Sequence, residues 1–75
     1  LRQIEGGSRR MNIYYRKTIM GWWNIYPAGS DEFVNLNPEE FFELLPQVSR
    51  RAFAGCAEIG VTVARELFGE EVRPA

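Results

Sequence analysis

Two short runs of alternating apolar and polar residues constrain this chain most. They are residues 12–19 (NIYYRKTI) and 22–26 (WWNIY), joined through Ile19-Met20-Gly21. Both runs are rich in β-branched and aromatic residues, which favour a pleated strand over a helix. A three-residue hairpin loop needs a residue with positive φ in its last position, and Gly21 stands there. That loop length predicts the register, pairing Thr18 with Trp22, Arg16 with Asn24 and Tyr14 with Tyr26.

In a strand the side chains alternate between faces, so the register sorts them. Ile13, Tyr15, Trp23 and Ile25 share one face and form the expected core side. Lys17 falls on that face too and must carry its ammonium out past the edge. Tyr14, Arg16, Thr18, Trp22, Asn24 and Tyr26 share the other face.

Pro27-Ala28-Gly29-Ser30-Asp31 has the composition of a turn. Residues 32–36 (EFVNL) follow as a short third strand, with Val34 and Leu36 on one face and Phe33 on the other. Asn37 then opens a helix: it is a good N-cap, Pro38 suits the first helical position, and Glu40 completes a capping box. Pro46 ends this helix near Leu45.

The spacing predicts a second, longer helix over residues 47–68. Phe53, Cys56, Ala57, Gly60, Val63, Ala64 and Leu67 recur at i, i+3, i+4 intervals and make one apolar stripe. Gly69 suits its C-terminal end. Glycine within a helix costs about 1 kcal/mol against alanine, so Gly60 implies a close approach to another element. The small residues Ala57, Gly60 and Ala64 therefore form a seam that packs on the sheet or, in the alternative, builds a homodimer. A helix-turn-helix break at Ala57–Val61 is disfavoured, because the stripe passes through it without a change of phase. The expected fold is α+β: a three-stranded antiparallel meander followed by a short and a long helix on one face, in the order βββαα.

Length and composition set the limits on function. Seventy-five residues make a single domain with a modest core. Residues 1–10, with the flexible Gly6-Gly7-Ser8, read as a linker or fusion-derived extension ahead of Met11. Residues 11–69 read as the domain, and residues 70–75 as a disordered tail. The chain has no histidine and one cysteine, Cys56. This removes the usual nucleophile–base pairs, proton shuttles and zinc ligand sets. Cys56 lies in the apolar stripe and reads as a small buried hydrophobe. Glu39, Glu40 and Glu43 sit where the helix dipole favours acids, not as converging metal ligands. Arg50-Arg51 reads as a solvated pair. The expectation is a non-enzyme with no cofactor and no metal. A lone cysteine, no apolar run long enough for a membrane span and no signal-peptide pattern point to the cytoplasm and no membrane partner.

Charge is unevenly spread. Arg2, Arg9, Arg10, Arg16 and Lys17 face only Glu5 in residues 1–29, whereas residues 30–75 hold four arginines and nine acids. The overall net charge is −1 and the pI about 5.4, which disfavours phosphate contact.

The aromatic and arginine face of the hairpin is the leading candidate surface. Tyr14, Arg16, Trp22, Asn24 and Tyr26 combine the side chains that dominate interface hot spots with polar hydrogen-bonding groups. With helices expected on the opposite face, it lacks cover unless the first helix or the N-terminal segment folds over it. The expected function is non-catalytic protein binding. A small regulator or inhibitor fits, of the kind phages and mobile elements direct against a host enzyme. The runner-up is a nucleic-acid-binding transcription regulator. Three strands followed by a helix, with tryptophan on the second strand, is loosely similar over residues 12–45 to AP2-like DNA-binding domains of plant factors and to tyrosine-recombinase arms. That resemblance implies a sheet entering the major groove.

Overall fold

The computed structural model describes residues 9–69. Four strands and two helices follow one another as β1 (Arg10–Lys17), β2 (Trp23–Pro27), β3 (Val34–Leu36), α1 (Pro38–Leu44), β4 (Ala54–Gly60) and α2 (Val61–Phe68). The sheet is antiparallel throughout, with strand order β3-β2-β1-β4. The class is α+β, as expected, but the order is βββαβα. The extension read over residues 1–10 and the tail over 70–75 fall largely outside the described residues. Arg9 and Arg10 are within them: Arg10 opens β1, and just ahead of it the Arg9 carbonyl accepts a hydrogen bond from the Val61 amide at 3.0 Å.

The hairpin forms in the register its loop length requires. Arg16 pairs with Asn24 and Tyr14 with Tyr26. The Thr18 amide donates to the Trp22 carbonyl at 2.7 Å, closing a loop in which Gly21 adopts φ +87°. The Gly21 amide donates back to the Thr18 carbonyl at 2.9 Å. At the next turn Gly29 takes φ +82°, and the Ser30 amide donates to the Pro27 carbonyl. β3 is shorter than the five-residue run read from the sequence. Its Val34 and Leu36 still point to the core side, while Phe33 is exposed.

The first helix matches its capping signal in detail. The Asn37 side chain accepts from the Glu40 amide at 2.7 Å, and the Glu40 carboxylate accepts from the Asn37 amide at 3.1 Å. Its last turn closes with the Leu45 amide donating to the Phe41 carbonyl, directly before Pro46.

The long helix over 47–68 does not form. Residues 46–53 make turns instead, with the Val48 amide donating to the Leu45 carbonyl and the Ala52 amide to the Ser49 carbonyl. Residues 54–60 are β4, paired along β1 from Arg10↔Gly60 to Arg16↔Ala54. Only Val61–Phe68 is helical, entered through Gly60 in an extended conformation and left at Gly69. The uninterrupted helix expected across residues 57–61 therefore gives way to a strand that runs straight into a helix. The helical stripe dissolves with it. Phe53 and Cys56 are exposed, and Val63 gives up its core place to Val61, which is buried. Ala57, Gly60 and Ala64 now lie on β4, at the strand–helix junction and inside α2, so they do not form a continuous helical seam.

The reason is non-local. β1 presents backbone groups on both sides, and β2 satisfies only one of them. A strand added along the free side satisfies the rest. Gly55 and Gly60 weigh against a helix across this segment. Gly55 also permits a contact a larger residue would block, because a Cβ there would stand 2.6 Å from the Tyr15 hydroxyl.

One face of the sheet carries the core. Met11, Ile13, Trp23, Ile25, Leu36 and Ile59 from the strands meet Phe41 and Leu45 from the α1 region and Val61 and Ala64 from α2. Trp23 and Phe41 stack at its centre, with Tyr15 edge-on to both. Lys17 lies at the margin as expected, its ammonium 5.9 Å from the Trp23 ring centroid and 6.0 Å from that of Phe53. Among the described residues, no helix is long and apolar enough to cross a membrane.

Candidate functional site

Because both helices contribute to the same core, the opposite face of the sheet has no covering layer among the described residues. The side chains facing outward there are set by the strand registers. Arg10, Asn12, Tyr14 and Arg16 come from β1, Asn24 and Tyr26 from β2, Asn35 from β3, and Ala54, Cys56 and Glu58 from β4. Trp22 continues the β2 set at the hairpin end. Tyr14 is 51% exposed and Trp22 44%, large values for aromatic rings lying on a sheet.

The five candidate residues are divided by the structure. Tyr14, Arg16 and Tyr26 line one open groove of about 700 Å³. Its walls include the turn at Gly29–Asp31 on one side and Ala54, Gly55 and Cys56 on the other. Trp22 and Asn24 are not part of that lining. Asn24 is half-buried, and its side-chain oxygen accepts from Asn35 Nδ2 at 2.8 Å, which ties β2 to β3. Trp22 sits beside the loop, its amide donating to the Thr18 hydroxyl at 3.2 Å.

Four contributors lie outside the set of site residues expected from the sequence. Phe33 is 51% exposed and lies against Tyr26 with ring centroids 5.2 Å apart, extending the aromatic strip toward β3. Its position opposite Val34 and Leu36 was the available signal. Cys56 is exposed on the open face and opposite Tyr14, which corrects its reading as a buried stripe residue. Ala54 and Gly55 reach the groove only because β4 exists. No sequence signal could place these β4 residues without the correct assignment of that strand.

A second apolar surface caps the hairpin. Ile19 and Met20 at the loop tip are almost wholly exposed, and Phe53 next to them is 75% exposed. Lys17, Thr18 and Gly21 complete a shallow hollow there.

The open face carries an ion pair toward one end and the Arg16 guanidinium toward the other. Arg10 and Glu58 approach at 3.9 Å, and Arg10 Nη2 also donates to the Glu58 carbonyl at 3.2 Å. Arg16 is exposed, and no ion pair to it occurs among the described residues. Arg50 is committed elsewhere: its guanidinium lies over the Phe42 ring at 4.3 Å, while Arg51 is exposed. No cluster of three or more potential metal ligands occurs among the described residues, and Glu39 and Glu40 stand in the first turn of α1.

The groove offers phenol hydroxyls, aromatic faces, the Arg16 guanidinium and, on the wall beside Tyr26, the Asp31 carboxylate, a lining suited to a planar or apolar group with a polar group beside it. Residues 12–45 form three strands followed by a helix, and a fourth strand outside that span lies along the far side of β1. No protein-family model matches the chain, and no curated protein or solved structure shows significant similarity to it.

Proposed function

We propose that this domain is a non-catalytic protein-binding module, a small regulator or inhibitor that engages its partner through the open face of the sheet. One observation carries the reading: both helices pack on the other face, while Tyr14 and Trp22 keep about half of their surface in solvent. Aromatic rings exposed together on a rigid sheet lose little side-chain entropy when a partner covers them. The partner that fits is a protein segment placing an apolar or aromatic side chain in the Tyr14/Tyr26 groove and a carboxylate against Arg16.

The test compares the wild type with a Trp22→Ala/Arg16→Ala double variant. Proteins captured from a bacterial lysate are identified after nuclease treatment, and each is then purified and titrated calorimetrically at low and high salt. Binding of a purified protein that withstands salt, and is lost in a folded double variant, supports the reading. Hydrogen exchange should then show protection at Tyr14, Arg16 and Tyr26. Nucleic acid retained only at low salt would replace it with a phosphate-binding role, because phosphate contacts weaken steeply as salt rises.

A further inference from the structure

The two edges of the sheet are unlike. β3 is only three residues long, which blunts that edge. β4 has seven residues (AGCAEIG), with no lysine and no proline, and its side chains are mostly small. Glu58 is its single charged residue, so little in that strand discourages pairing with a further strand.

The hydrogen-bond phase shows which groups face outward. The Lys17 amide donates to the Phe53 carbonyl at 2.7 Å, and the Val61 amide donates to the Arg9 carbonyl at 3.0 Å. In an antiparallel strand both backbone groups of one residue point to the same side, and successive residues alternate. Residues 53, 55, 57, 59 and 61 therefore face β1. Ala54, Cys56 and Glu58 direct their amides and carbonyls away from the sheet. Of these, only the Glu58 carbonyl has a partner among the described residues, the Arg10 side chain.

We propose that this edge pairs with the β4 edge of a second copy of the chain, antiparallel about a two-fold axis at Cys56, to give a continuous eight-stranded sheet. Charge complementarity selects both the occupant and the register. Of the registers that bring outward-facing residues together, those centred on Cys56 and on Ala57 pair Ala54, Cys56 and Glu58 all within β4. Centred on Cys56, Ala54 pairs with Glu58 of the second copy. Arg16 lies directly across β1–β4 from Ala54. The exposed Arg16 and the second copy's Glu58 then stand on one face, two strands or about 10 Å apart between Cα atoms. Only the Ala54 methyl lies between them, and long side chains span that distance. The arrangement occurs twice by symmetry. Centred on Ala57, Ala54 would instead pair with Gly60, placing Arg16 in line with the second copy's Arg10. That register gives Arg16 no acidic partner in its row. The favoured register also joins the two open faces, with Tyr26, Tyr14 and Cys56 of each copy in a single row. This inference rests on edge geometry and does not depend on the partner-binding reading.

The test is sedimentation of the full chain under reducing conditions over a wide concentration range. A reversible monomer–dimer equilibrium is expected. Glu58→Arg should weaken it about tenfold or more, and adding Arg16→Glu should recover most of the loss. Cys56→Pro removes only an outward amide and should give a folded monomer. Register is read by oxidative cross-linking. Cys56 is the only cysteine, and a hydrogen-bonded antiparallel pair holds Cα atoms about 5.5 Å apart, within disulfide range. A Cys56–Cys56 cross-link is expected in the wild type. A monomer at every concentration overturns the proposal. So does a dimer indifferent to Cys56→Pro and to Glu58→Arg.

Discussion

The Trp23 indole and the Phe41 ring stack with centroids 3.9 Å apart and planes 3° from parallel, joining sheet to helix at the centre of the core. Both residues are fully buried. Tyr15 meets both edge-on at 5.7 and 5.3 Å, and Phe42 meets both edge-on at 5.9 and 5.0 Å. Phe41→Ala should therefore cost about 3–5 kcal/mol, since nothing nearby can fill the gap completely. Urea unfolding followed by circular dichroism would check it. In a domain of this size that loss should approach the whole stability.

Trp23 Nε1 is buried without a hydrogen-bond partner. An unpaired buried donor costs about 1–3 kcal/mol. Trp23→Phe removes that cost along with part of the ring, so it should destabilise far less than Trp23→Ala. The difference between the two variants in denaturant midpoint measures this.

Tyr15 closes over Gly55, leaving no room for a Cβ. Gly55→Ala should push the Tyr15 ring off its neighbours and cost about 1–3 kcal/mol. The same substitution in a Tyr15→Leu background should be nearly neutral. A double-mutant cycle in thermal unfolding would show the coupling, and purely local backbone effects would show none.

Asn37 and Glu40 satisfy each other's backbone amides at the start of α1. Asn37→Ala should cost about 1 kcal/mol. Glu40→Ala should cost less, and the double variant should lose less than the sum, because each side chain closes the same box. Equilibrium unfolding of the three variants tests this.

Tyr14→Ala and Arg16→Ala lie on the open face and should shift stability by only about 0.5 kcal/mol, as surface substitutions usually do. A loss comparable to that of Phe41→Ala would mean that this face is covered in solution. Thermal melts of the two single variants decide it.

The hairpin and the first helix were legible because their determinants are local. Gly21 at a fixed place in a three-residue loop sets the pairing of Tyr14 with Tyr26, and alternation then assigns Trp23 to the core and Trp22 to solvent. The capping box lies within four consecutive residues, Asn37 to Glu40. Residues 54–60 carry no such local instruction. Their mostly small side chains fit a helical stripe at 56, 57 and 60 as readily as a strand with 55, 57 and 59 inward. Tertiary structure decided between them, because β1 had backbone groups to satisfy and Tyr15 needed a glycine opposite. That choice moved Cys56 from the expected core to the surface and supplied one wall of the groove. The sequence by itself determined which side chains of the hairpin face the core, since strand alternation is a property of neighbouring residues. Only the tertiary structure decided what lies beside them, since a sheet edge is filled by a segment some forty residues away along the chain.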